Sequence, residues 1–151
     1  MIPFRQRLQV PQLPKGFVLK RDELPSVALI NRLLSKCKER THSKERLLIA
    51  LEKSFCFLCI YEEKSESLVG FVRATSDQGL NANIWNLVAQ PGENQEKFIA
   101  VLVHKLLVIL RRELPGCSIS VSAPSTSLTA LKENGFLLDP NGIRVMGFRL
   151  R

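Results

Sequence analysis

The spacing of apolar residues along the chain predicts three substantial helices. Apolar side chains three and four positions apart indicate an amphipathic helix over residues 24–37, with Asp22 as its N-cap. A second helix is predicted to begin after Ser43, a residue type that favours the N-cap position, and to end near Ser54. The longest helix, over residues 94–113, is apolar on most of its circumference, so we expect it to be buried against a sheet.

Shorter runs rich in β-branched and aromatic residues predict strands around these helices. A short helix over Ser125–Asn134 is predicted to end at Gly135, because glycine suits a left-handed C-cap. A long helix that joins two strands after a meander implies one crossover in a mixed sheet, so the sequence predicts the α+β, or mixed α/β, class. The predicted strands are Gly16–Lys20, Phe55–Glu62, Ser67–Thr75, Ala82–Ala89, Cys117–Ser122 and Ile143–Leu150.

Length and composition favour one globular domain. The chain has 151 residues, of which 45% are hydrophobic, enough for a core without metals or disulfides. Prolines among basic residues predict an extended N-terminal arm over 1–15, which leaves 16–151 as the domain. We expect no membrane span, because the longest apolar stretch, 98–110, contains charge and is too short to cross a bilayer. We expect no secretory signal, because the N-terminus, Met-Ile-Pro-Phe-Arg, has no apolar core segment. The expected location is the cytoplasm.

Much of the net charge of +8 falls in one segment of the chain. A basic balance suits an anionic partner, such as coenzyme A phosphates, an acidic acceptor or nucleic acid, and it suits a solvated basic surface as well. Nucleic acid is disfavoured, because no aromatic residues that could stack on bases alternate with these basic ones. The basic residues of the segment are Arg32, Lys36, Lys38, Arg40, Lys44 and Arg46.

The cysteines predict no metal site. Cys56 and Cys59 have the spacing of a metal or redox motif, but both lie in a predicted strand. Side chains three apart on a strand point to opposite faces, so these thiols cannot share a metal ion. His42 and His104 are far apart in the sequence and have no partner at ligand spacing.

The order of the predicted elements resembles that of the GNAT N-acetyltransferases, over about residues 40–148. The similarity is to the cyanobacterial and plastid branch, which includes serotonin and lysine N-acetyltransferases. Asn-Gly-Phe at 134–136 also resembles the family's pattern before its last strand. The stretches that agree in detail are LVGFVRATSD at 68–77, NANIW at 81–85 and LDPNGIRVM at 138–146.

This resemblance implies a twisted mixed sheet with helices on both faces and acetyl-CoA bound where strands four and five splay apart. In this family a Q/R-x-x-G-x-G/A loop binds the pyrophosphate through backbone N–H groups at the start of the long helix. A backbone N–H near the end of strand four polarises the thioester carbonyl. The resemblance implies Leu87 and Val88 for the thioester, and Gln95, Lys97 and Ala100 for the pyrophosphate.

The pyrophosphate loop departs from the family pattern in either alignment. Without a gap, the glycine positions hold Gln95, Lys97 and Ile99. Shifted by one residue, Gln95 and Ala100 match the ends of the motif, while glycines are replaced by Glu96 and Phe98. The loop therefore contains no glycine, and Glu93 and Glu96 bring negative charge towards the phosphate site.

Two further departures concern proton transfer. Asn86 stands at the branch's aspartate position on strand four and cannot titrate. Leu131 stands at its tyrosine position on the last helix, where a phenol commonly protonates the leaving thiolate.

Two functions remain open from the sequence. The first is acetyl-CoA-dependent transfer of an acetyl group to an amine that enters beside the basic connection Lys36–Lys44. The second is a catalytically inactive GNAT-fold module that binds or regulates. The acceptor, the acyl group and the oligomeric state, a homodimer included, also remain open.

Overall fold

The computed structural model describes residues 9–142, 146–147 and 149–150. Within them, five strands and four α-helices follow one another in the predicted order. Four of the eight residues of the predicted strand Ile143–Leu150 fall outside the described ones, and so do residues 1–8 of the N-terminal arm. The elements are β1 (Phe17–Arg21), α1 (Val27–Lys36), α2 (Lys44–Glu52), β2 (Cys56–Glu62), β3 (Leu68–Ser76), β4 (Asn81–Ala89), α3 (Gln95–Glu113), β5 (Ser118–Val121) and α4 (Leu128–Glu133).

The strands form one mixed sheet in the order β1-β2-β3-β4-β5. The pairs β1–β2, β2–β3 and β3–β4 are antiparallel, and the pair β4–β5 is parallel. The parallel pair requires a crossover, which α3 supplies. The fold is therefore the mixed sheet with helices on both faces that the sequence predicts.

Each face of the sheet carries its own apolar cluster. On one face α3 and α4 pack against alternate residues of the strands, and nine of the nineteen residues of α3 are buried. On the other face α1 and α2 cover a second cluster around Phe71. Each fully buried large side chain contributes about 1.5–3 kcal/mol, so α3 is the principal apolar support of the sheet.

The two cysteines of β2 illustrate this division. Cys56 lies in the cluster beneath α3, and Cys59 lies in the cluster beneath α1 and α2. The prediction that their side chains point to opposite faces is confirmed. Among the described residues, no group of three or more His, Cys, Asp or Glu side chains could hold a metal ion.

The N-cap predicted for α1 is wrong. Ser26 begins the helix, and its hydroxyl accepts the Leu29 N–H at 3.2 Å. Asp22 instead extends the β1–β2 ladder: its amide donates to the Phe57 carbonyl, and its carboxylate accepts the Phe57 N–H at 2.9 Å. The Asp22 carboxylate therefore binds β2 and does not cap α1, which starts at Val27 rather than near 24.

The predicted start of α2 and the predicted end of α4 are confirmed. Ser43 caps α2 by accepting the Arg46 N–H. Gly135 has φ +91° after α4, and a Schellman pair of bonds runs from Gly135 N to Lys132 O and from Phe136 N to Leu131 O. No helix among the described residues is long and apolar enough to cross a membrane.

Candidate acyl-CoA site

The site begins where β4 and β5 part. Their pairing runs from Asn81 with Ser118 to Ile84 with Val121 and then stops, although β4 continues to Ala89. Beyond this point no strand of the described chain pairs with that side of β4. The predicted divergence of strands four and five is therefore present, and it leaves main-chain groups of β4 open to a ligand.

A β-bulge lies on β4 at the point of divergence. The β3–β4 register jumps between Arg73, opposite Trp85, and Phe71, opposite Val88. Asn86 takes the left-handed conformation, with φ +52°, which asparagine tolerates better than most residues. The bulge bends the strand and redirects its last residues.

A cavity of about 540 Å³ occupies the gap. Leu87, Val88 and Gln95, three of the residues expected to bind the cofactor, line it together. Its other walls come from the end of α1 and from the segment after β5. These walls are Lys36–Glu39, Ala89, Pro91 and residues 124–126.

Side chains already occupy part of the open β4 edge. The Ala89 carbonyl accepts hydrogen bonds from Gln95 Nε2 at 3.0 Å and from the Cys37 thiol at 3.2 Å. Beside it, Lys36 Nζ donates to Gln90 Oε1 at 2.8 Å. These contacts join α1, β4 and α3 across the mouth of the cavity.

Known structures share this fold. The chain superposes on a probable acetyltransferase of Staphylococcus aureus with a TM-score of 0.76 at 12% identity, over 89% of this chain and 99% of that one. An acetyltransferase of Trypanosoma brucei gives a TM-score of 0.67 at 17% identity, over 89% and 99% of the two chains. No protein-family model matches the chain.

Curated relatives agree with the structures. An uncharacterised N-acetyltransferase of Pyropia yezoensis, ycf52, is 33% identical over 80% of this chain. A chloroplastic GCN5-related N-acetyltransferase of Arabidopsis thaliana is 27% identical over 89% of this chain and 68% of its own length. The chain is similar to GNAT N-acetyltransferases in sequence and in fold. It spans 64% of the length of the Pyropia protein.

The start of α3, where GNAT proteins bind pyrophosphate, is a plain helix N-terminus in this chain. Asn94 occupies the N-cap without a side-chain bond, and the amides of Glu96 and Lys97 have no hydrogen-bond partner among the described residues. Such free N–H groups and the helix dipole attract anions. The exposed carboxylates of Glu93 and Glu96 compete for the same positive potential.

Of the remaining loop residues, Lys97 is exposed to solvent and residues 98–100 pack against the core. Lys97 is exposed in the first turn, outside the lining of the cavity. Phe98 and Ile99 are 3% and 1% exposed, and Phe98 packs edge-on against Phe17. Ala100 packs against the same core. In either alignment, a core side chain therefore stands where GNAT enzymes place a glycine.

Neither of the two residues at the GNAT proton-transfer positions carries a titrating group. Leu131 is buried in the core, 2% exposed, and it lies outside the lining of this cavity. Asn86 accepts the Arg73 Nε–H at 2.7 Å through its side-chain oxygen. Tyr61, the chain's only tyrosine, lies on β2 under Lys20.

Cys37 is the one thiol in the cavity wall, and sequence reasoning placed it only on the apolar face of α1. Burial raises its pKa, so it is protonated at neutral pH and acts as a hydrogen-bond donor. Residues 124–126 were also missed, because they join the wall only through the path of the chain after β5. The sequence contains no periodic signal for either contact.

Proposed function

We propose that this protein is an acetyl-CoA-dependent N-acetyltransferase that transfers an acetyl group to a primary amine. The observation that carries the proposal is the gap between β4 and β5, with open main-chain groups on β4 and the cavity beside it. An extended ligand that contains amides can add to a strand edge through main-chain hydrogen bonds. The pantetheine arm of acetyl-CoA has that chemistry.

In the proposed reaction, the amine nitrogen attacks the thioester carbonyl, the N–C bond forms and the C–S bond breaks. A β4 amide near Leu87 and Val88 donates to the oxyanion that develops. The nitrogen loses one proton and the coenzyme A thiolate gains one. Since Asn86 and Leu131 carry no titrating group, water is the carrier of these protons.

The pyrophosphate end supports weaker binding than the family norm. The free amides of Glu96 and Lys97 remain available, but the loop lacks glycine and gains two carboxylates. Each unfavourable contact costs about 1–2 kcal/mol, and every 1.4 kcal/mol is a tenfold loss of affinity. We therefore place the dissociation constant of acetyl-CoA above the micromolar range.

A second candidate is a GNAT-fold module that binds or regulates without catalysis. The observation that favours it is the closure of the β4 edge by the chain itself, through the bonds of Gln95 and Cys37 to Ala89. In this case the cavity would take a partner other than coenzyme A, or none.

Calorimetry with acetyl-CoA, followed by release of free coenzyme A in the presence of amines, tests the proposal. We expect saturable binding and an amine-dependent rate. The control is desulfo-coenzyme A, which should bind but release no thiol. Absence of binding at millimolar acetyl-CoA would favour the non-catalytic module.

The cellular location also belongs to this proposal. The cytoplasm is the location expected from composition, whereas two Arabidopsis relatives are named as chloroplastic proteins. A fluorescent fusion of the full-length protein in its own cells distinguishes the two.

A further inference from the structure

Arg73 of β3 lies beside the bulge that leads β4 into the acyl-CoA cavity. Arg73 is half-buried on the sheet face that α1 and α2 cover, and it lies over the Trp85 ring, 6.0 Å from its centroid. Its Nε donates to Asn86, as described above. Arg73 thus touches both residues that lead β4 into the cavity.

Arg73 has no acidic partner in the described part of the chain. The salt bridges found there involve Lys20, Arg21 and Arg112 instead. The residues outside that part contain no Asp or Glu side chain either. Burial alone, without a compensating carboxylate, lowers the pKa of Arg73. A half-buried guanidinium without a counter-ion is unusual, because burial of an unpaired charge is costly.

His42, in the α1–α2 connection, is within electrostatic reach of Arg73. His42 is held over α1 by two bonds to Asn31, one from its amide to Oδ1 at 3.0 Å and one from Asn31 Nδ2 to its carbonyl at 2.8 Å. Burial first, and then nearby guanidinium groups, lower the pKa of His42. These groups belong to Arg40, Arg73, Arg149 and Arg46.

The connection that carries His42 also lines the acyl-CoA cavity. Its first residues, Lys38 and Glu39, are in the cavity wall, and Asn86 directly precedes Leu87. Arg73, which bonds Asn86, therefore lies beside the route by which an amine would reach the thioester. Glu39 is the one carboxylate of this wall, and Arg40 follows it directly.

We propose that Arg73 binds a carboxylate of the acceptor, so that the acceptor is a carboxylate-bearing primary amine. The planar fork of a guanidinium matches a carboxylate, and a half-buried position strengthens the pairing. This inference rests on the proposed function, because only an acetyl-transfer reaction has an acceptor. The carboxylate site itself can be tested without acetyl-CoA.

The chain's single tryptophan is a built-in reporter, because Trp85 contacts Arg73 directly. We would titrate glutarate, and its neutral analogue glutaramide, at constant ionic strength and follow the fluorescence of Trp85. Glutarate should give a saturable change and glutaramide none. Arg73→Gln should weaken glutarate binding at least tenfold, whereas Arg111→Gln, the same charge change on the exposed end of α3, should leave it unchanged.

If Arg73→Gln does not fold, Arg73→Lys takes its place, because lysine keeps the charge and the long side chain. Arg73→Lys should weaken glutarate binding severalfold. Equal responses to glutarate and glutaramide, or equal losses in the Arg73 and Arg111 variants, would overturn the inference. Tighter binding of inorganic phosphate than of glutarate would also overturn it.

The second arm measures acetylation of 4-aminobutyrate and of 4-aminobutanamide. The acid should have the higher kcat/KM by at least tenfold, and Arg73→Gln should bring the ratio close to one. Glutarate binding without acetylation of any amine would refute the proposed function and leave the carboxylate site intact. Acetylation that prefers the amide would refute the carboxylate site alone.

Discussion

The side chain of Gln95 donates from Nε2 to the main-chain carbonyl of Ala89 at 3.0 Å, and so joins the first residue of α3 to the last residue of β4. The carbonyl belongs to the strand edge that β5 leaves open. A ligand that pairs with this edge has to displace the glutamine or bind beside it. We therefore expect Gln95 to compete with the cofactor, although the sequence motif suggests that it helps to bind it.

Gln95→Ala should tighten acetyl-CoA binding. A hydrogen bond of this kind has a net value of about 0.5–1.5 kcal/mol, so removal of the competition should lower the dissociation constant by about threefold to tenfold. Calorimetry on the variant measures this. Gln12→Ala, at an exposed position far along the chain, is the matched control. Weaker binding by Gln95→Ala would show that its amide binds the cofactor.

Restoring glycine to the loop should help only at the exposed positions. Lys97→Gly together with Glu96→Gln should tighten acetyl-CoA binding several-fold, because the α3 amides become more accessible and a carboxylate is removed. Calorimetry against the parent chain measures the change. Unchanged or weaker binding would mean that Lys97 is itself a phosphate contact.

Ile99→Gly, in contrast, should mainly destabilise the fold. Ile99 is 1% exposed in the core, and truncation of a buried isoleucine costs about 2–5 kcal/mol. Glycine inside a helix adds about 1 kcal/mol to this. Urea unfolding followed by circular dichroism measures the loss. A free energy of unfolding close to that of the parent would contradict the burial of Ile99.

The stability of the fold should fall in acid through Glu113. Its carboxylate receives Nη1 and Nη2 of Arg21 at 2.7 and 2.8 Å, and this pairing, more than Arg112, lowers the pKa of Glu113 to about 2. Its contribution is therefore fully present above the unfolded pKa of about 4.3. It is lost as the pH falls towards 2.

Glu113→Gln tests this directly. The variant should unfold at lower urea than the parent at pH 7, and the difference should shrink as the pH approaches 2. Glu52→Gln, at an exposed position of α2, is the control. A difference that stays constant across this pH range would contradict the role of the Arg21–Glu113 pair.

The two histidines should respond differently to loss of Arg73. Burial is the first cause that lowers the pKa of each, and the nearby cations are Arg40, Arg73, Arg149 and Arg46 for His42 but Lys105 and Arg111 for His104. Removal of a nearby positive charge favours protonation. Arg73→Gln should therefore raise the pKa of His42 and leave that of His104 unchanged, as measured by NMR titration of the imidazole rings.

The same shifts predict a pH dependence of folding. Because the unfolded chain protonates its histidines at about pH 6.5 and the folded chain only below that value, stability should decline as the pH falls below 6.5. Urea midpoints at pH 7.5 and 5.5 check the direction. A urea midpoint that rises on acidification would contradict the lowered pKa values of the two histidines.

The sequence by itself determined the order of the elements and most of their bounds. Helix and strand periods are local properties, and so are the Ser43 cap and the glycine after α4, since each acts within a few residues of the chain. The family resemblance followed from the same linear information. It also identified the departures at Asn86 and Leu131 and in the loop.

Only the tertiary structure decided which of these residues meet. The bond from Gln95 to Ala89, the bond from Phe57 to Asp22 and the bond from Arg73 to Asn86 all join residues whose contact depends on the paths of separate elements. The bulge at Asn86 depends on the register between two strands. A periodic pattern carries no information on such pairings, because the free energy that selects them comes from packing across the whole sheet.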